Sequence, residues 1–131
     1  MKAALALALG TAIGGALRFL CGQLAVEVLG LAPLWGTAFV NVTGSFVIGL
    51  FAALTAADGQ LRVSVSTQIF VTVGLCGGFT TFSVLSQETL ELLLAGNTTM
   101  AGANIALSLA LCLVAVWAGS LWGDRLKGAG R

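Results

Sequence analysis

The chain has no histidine, so imidazole acid–base chemistry and histidine ligation of a metal are excluded from the start. Charge is almost as scarce. Six basic and five acidic residues among 131 compare with about a quarter of the residues in a soluble globular domain. A water-facing surface cannot be built from so few, because a soluble domain of this length leaves roughly a third of its unfolded-chain surface in water. Six basic residues also form no run suited to nucleic acid. The three cysteines, Cys21, Cys76 and Cys112, are odd in number and lie in apolar segments, which speaks against a disulfide framework and for free thiols packing as small hydrophobes. No nucleophile stands beside a base and no ATP-binding motif is present, so catalysis is not expected.

What fills the chain instead is apolar: 58% of residues are hydrophobic and the mean hydropathy is +1.04. Three segments, about 3–29, 35–54 and 101–122, reach the ~20 residues that cross a bilayer as helix. The first follows Lys2 in the manner of a signal peptide, but the same composition continues beyond it, so it is expected to be the first membrane helix. A fourth segment, about 67–94, carries Gly77-Gly78-Phe79-Thr80-Thr81 near its middle. These residues disfavour continuous helix, and a break is expected near 76–81. The fold class is therefore an all-α membrane protein, one transmembrane domain over 1–131, with four helices and the third broken at mid-membrane. Both termini then lie on one side. Pro33, Asp58-Gly59 and Gly96-Asn97 mark segment ends.

Polar residues fall into stripes. In the first segment Gly10, Gly14, Arg18 and Gly22 recur every four residues and share a face, which for the glycines suits close helix packing. Thr37, Asn41 and Ser45 are also four apart, as are Asn104, Ser108 and Cys112. Each set is interhelical glue or, beside a broken helix, a lane of uncharged donors that can replace the water shell of a small ion. A break in a span survives only where it is buried or lines water, and its freed carbonyls and amides suit ions. Arg18 lies deep enough to imply a wet vestibule that attracts an anion. Glu88, in the second half of the broken segment, requires a polar partner.

Three blocks carry a resemblance: Gly14-Gly15-Ala16-Leu17-Arg18, Gly36 through Ser45, and Gly77-Gly78-Phe79-Thr80-Thr81-Phe82-Ser83. In this order, in a four-span chain of this length, they resemble the Fluc fluoride channels, also called the CrcB family. The resemblance implies a fluoride-selective passive channel in the cell inner membrane that lets cytoplasmic fluoride run out and so reduces its toxicity. It implies an antiparallel dimer with pores along the subunit interface. It also implies a central structural Na⁺ held by backbone carbonyls, with Gly77 and Thr80 at the matching positions. Asn41, Phe82, Ser83 and Ser108 match the ion pathway; Arg18 matches a vestibule position and Glu88 a carboxylate near the pore. The sequence departs from the family pattern at Leu85, where a second phenylalanine is usual, and at Asn104, where an aromatic hydroxyl is usual.

Lys2, Arg62, Arg125, Lys127 and Arg131 gather on the side of the termini, which by the positive-inside rule places both ends in the cytoplasm. Dual insertion of identical chains needs little such bias. A dimer of identical chains is expected, ahead of a pair with an oppositely oriented paralogue. Two rival readings differ in class. A small multidrug-type exchanger needs a carboxylate in its first helix, which is absent up to Arg18, and a non-conducting assembly subunit leaves the Gly-Gly-Phe-Thr-Thr-Phe run unexplained.

Overall fold

The computed structural model describes residues 1–129; Arg131, counted above in the charge bias, lies outside them. Four helical segments are long and apolar enough to cross a membrane: Lys2–Val28, Pro33–Thr55, Val65–Leu94 and Thr98–Lys127. At ~1.5 Å per residue each exceeds a hydrocarbon core of about 30 Å or comes close to it. The last helix continues to Ala129, well beyond the expected 101–122, because Gly123, Asp124 and Arg125 keep helical geometry past the apolar run.

Local chemistry sets the ends. Pro33 opens the second helix, where its missing N–H costs nothing and its φ is already helical. Ser64 caps the third segment by accepting the Thr67 N–H at 3.1 Å. That segment closes on Gly96, whose φ of 78° is the left-handed value glycine adopts freely. Around it Asn97 donates to the Leu92 carbonyl and Gly96 to that of Leu93, the paired bonds of a Schellman turn.

Within the third segment the backbone runs as α-helix over Val65–Ile69, as wider π-helix over Phe70–Cys76, and as α-helix over Gly77–Phe79. Thr80 (φ −80°, ψ 160°) and Thr81 (φ −151°, ψ 126°) are extended, and helix resumes over Phe82–Leu94. Cys76 to Phe79 were included in the expected break, yet they are helical. Gly78 lies against the first helix, where backbone meets backbone and packing enforces helical geometry, while Gly77 is exposed.

The face of Gly10, Gly14, Arg18 and Gly22 makes those contacts. A Cβ on Gly10 would lie 2.6 Å from the Phe70 carbonyl oxygen, and one on Gly78 would lie 2.6 Å from that of Thr11. Further along the same face Gly22 approaches Gly36 of the second helix. The second and last helices meet in the same way, through Gly49 against Val116 and Gly119 against Phe46. The Phe46 ring also packs edge-on to Trp122, with centroids 6.0 Å apart. In hydrocarbon no hydrophobic effect draws helices together, so such close approach, with its dispersion contacts, holds the bundle.

Candidate functional site

Asn41 and Thr81 form the centre of the site. Thr81 N–H, which in a continuous helix would donate to the Gly77 carbonyl, donates instead to Asn41 Oδ1 at 2.7 Å. Asn41 Nδ2 in turn donates to the Thr81 carbonyl at 2.9 Å. One carboxamide thus satisfies both backbone groups of an extended residue. Both residues are buried. The Thr81 hydroxyl accepts the Val84 N–H at 3.2 Å and caps the second half-helix. It also lies 3.1 Å from the Ser83 hydroxyl.

The rearrangement leaves the Gly77 carbonyl without its helical donor, and Gly77 is exposed. The Thr80 carbonyl faces the Arg18 guanidinium, whose Nη1 lies 3.4 Å away. Hard neutral oxygens of this kind suit an alkali cation, so the donor chemistry fits Na⁺. Among the described residues no group of three or more cysteines and carboxylates could hold a metal by side chains.

Two cavities meet at Thr81. The larger, of about 460 Å³, is lined by Arg18, Gln23, Thr37, Thr81, Ser83 and Glu88, among others. The smaller, of about 230 Å³, is lined by Asn41, Ser45, Thr81, Phe82, Leu85 and Ser108, together with Thr80 and Cys112. Of the residues singled out from the sequence, Arg18, Ser83 and Glu88 fall on the first cavity and Asn41, Thr80, Phe82 and Ser108 on the second. Gly77 lines neither. Phe82 is 77% exposed, its ring standing on the outer surface of the chain at the edge of the smaller cavity.

In the larger cavity Thr37 donates to Glu88 Oε1 at 2.6 Å, a short bond of the charge-assisted kind. Glu88 Oε2 is buried with no hydrogen-bond partner among the described residues. Thr37→Val removes the one donor this carboxylate has, a bond worth about 1.5–3 kcal/mol. Fluoride flux in liposomes is expected to fall about ten- to a hundredfold, and Thr37→Ser, which keeps the hydroxyl, should restore most of it. Equal flux in the Val and Ser variants would show that the Thr37–Glu88 bond is dispensable for transport.

Sequence reasoning did not find three of these links. Thr81 as cap and clamp was hinted at by a threonine preceding a helix start. Arg18 on the Thr80 carbonyl carried no sequence signal. Asn104 is the third: it donates to Thr89 at 3.1 Å, and Thr89 donates to the Leu85 carbonyl at 2.8 Å, which ties the last helix to the second half-helix. The stripe of Asn104, Ser108 and Cys112 is therefore mixed, with Asn104 as glue and Ser108 making no hydrogen bond among the described residues.

Fold and site together define a class: a small multi-pass membrane protein with polar-lined cavities between its helices. The family model described as "CrcB-like protein, Camphor Resistance (CrcB)" matches residues 5–120, and the chain belongs to that family. It is 49% identical over 125 residues to a protein of Methylocella silvestris named "Fluoride-specific ion channel FluC", covering 92% of this chain and 95% of that one. Proteins of Rhodopseudomonas palustris, named "Fluoride-specific ion channel FluC 1", and of Opitutus terrae, named "Fluoride-specific ion channel FluC", are each 48% identical over 121 residues. Each match covers 92% of this chain, with 86% and 92% of the respective relatives.

Proposed function

We propose that this chain is the subunit of a passive, fluoride-selective channel of the cell inner membrane, which releases cytoplasmic fluoride down its gradient. The observation that carries the reading is the meeting of the two cavities at the clamped Thr81, in a chain so close to proteins named as fluoride-specific channels. As an ion channel it moves fluoride without chemical change, so it is not an enzyme.

Each side chain has a task that its chemistry supports. Arg18 raises the local concentration of anions in the larger cavity. Ser83 and Ser108 offer hydroxyl donors. Asn41 uses one N–H on Thr81 and keeps the other for the ion. The edge of the Phe82 ring is the positive side of its quadrupole and attracts an anion in its plane. None of these groups presents a full fixed charge in the smaller cavity, so an ion can be stripped of water and still leave.

The interruption at Thr80 and Thr81 is read as the functional break. An antiparallel dimer with a second identical chain would cover the exposed Phe82 and close the open side of the smaller cavity. Gly77 and Thr80 of each chain would offer carbonyls to a central Na⁺. When bound, that ion supplies positive charge that offsets the converging carbonyl dipoles, while Arg18 serves the second lone pair of the Thr80 oxygen.

The test is fluoride efflux, against chloride, from liposomes holding this chain alone, followed with ion-selective electrodes. Fast fluoride release without chloride release is expected. Equal chloride release would reject selectivity. Silence with this chain alone, relieved by a co-reconstituted paralogue, would reject the identical partner; silence with both would reject the channel.

A further inference from the structure

Cys112 lies one helical turn beyond Ser108 on the last helix, and both line the smaller cavity. Ser108 is only 7% exposed, and its side chain makes no hydrogen bond among the described residues. Its oxygen is not one of the fully buried, unpartnered side-chain atoms among the described residues, so it stays open to the cavity it lines. Ser45, on the facing wall of the cavity, is likewise without a side-chain bond among the described residues. Two unpartnered hydroxyls turned into one cavity call for a guest that enters it, water or an ion, and the space of about 230 Å³ admits one. Whatever reaches those hydroxyls also reaches the half-buried Cys112 thiol. The other cysteines stand apart: Cys76 is 4% exposed, and neither it nor Cys21 lines this cavity.

We infer that Cys112 is a modification site in the wall of the ion lane, open to small uncharged thiol-reactive electrophiles, and that an adduct on its Sγ closes the lane. The inference rests on the channel reading above. Thiol reactivity follows thiolate character and access, and here a wet cavity supplies the access. With methyl methanethiosulfonate, the Cys112 thiolate attacks the sulfenyl sulfur of the reagent. An Sγ–S bond forms, the reagent's S–S bond breaks, methanesulfinate leaves with the electron pair, and the thiol proton passes to water. Cys112 is oxidised to a mixed disulfide and the reagent is reduced. The new methylthio group is apolar and stands beside Ser108, where a dehydrating ion needs donors, so passage loses its solvating wall.

The experiment uses the full chain in fluoride-loaded liposomes, treated with methyl methanethiosulfonate and read by fluoride electrode and by peptide mass spectrometry. The expected result is a methylthio adduct on Cys112 ahead of Cys76, loss of most fluoride efflux, and recovery on adding dithiothreitol. Cys112→Ala and Cys112→Ser, each compared with its own untreated rate, should resist the reagent. Normal untreated efflux with Cys112 unlabelled, or labelled without slowing, would overturn the inference and leave the channel reading standing. Absence of efflux before treatment would overturn the channel reading and closure with it, while the order of labelling still decides whether Cys112 is the accessible thiol.

Discussion

Asn41→Ala should abolish fluoride efflux and lower the melting temperature of the detergent-solubilised protein by many degrees. The side chain makes two hydrogen bonds to one backbone unit, at 2.7 and 2.9 Å, which lipid cannot replace. Truncation leaves the Thr81 N–H and C=O both unpaired, at about 1–3 kcal/mol each, against a total of about 5–15 kcal/mol for a typical domain. Thr81 also caps the second half-helix, so its displacement moves Phe82 and Ser83 together. Asn41→Asp separates the two roles. It keeps an acceptor for the Thr81 N–H but places a negative charge on the lane, so it should fold better than the alanine variant and still pass no fluoride. An alanine variant with unchanged melting and unchanged efflux would show that the clamp is dispensable.

Gly14→Ala should be the most damaging single-methyl change in the first helix. Its Cβ would overlap the Leu75 carbonyl oxygen and come within 2.8 Å of the Phe79 nitrogen. Both neighbours are backbone and cannot rotate away, so the first helix and the third segment must separate. Overpacking of a core typically costs about 1–3 kcal/mol, and a rigid backbone neighbour places this case at the upper end or prevents folding. Gly15 supplies the control one position away, because a Cβ there meets nothing within 4 Å. Gly15→Ala should leave yield and melting unchanged, or raise them slightly through helix propensity. If the two variants melt alike, close backbone approach is not what joins these segments.

Much of this was legible before the structure. Four spans follow from composition and length alone, since lipid is the one solvent in which so apolar a chain can leave its surface. Helical periodicity placed Gly10, Gly14, Arg18 and Gly22 on one face, and Thr37, Asn41 and Ser45 on another, because spacing of four is a property of the helix itself. The family was legible too, from three short blocks of residues. Less was legible around the interruption: of the expected 76–81, only Thr80 and Thr81 leave the helix, while the glycines at 77 and 78 stay helical. Glycine permits departure from helix without requiring it, and packing against the first helix decided the matter.

The partners across the bundle belong to tertiary structure. Thr37 meets Glu88 across 51 positions of sequence, Asn41 meets Thr81 across 40, and Arg18 meets Thr80 across 62. Periodicity says which residues share a face of one helix, and hydropathy says which solvent the helix prefers. Neither says which face meets which neighbour, or at what height. Those are decided where small residues let two backbones approach most closely, and that fit depends on both surfaces at once.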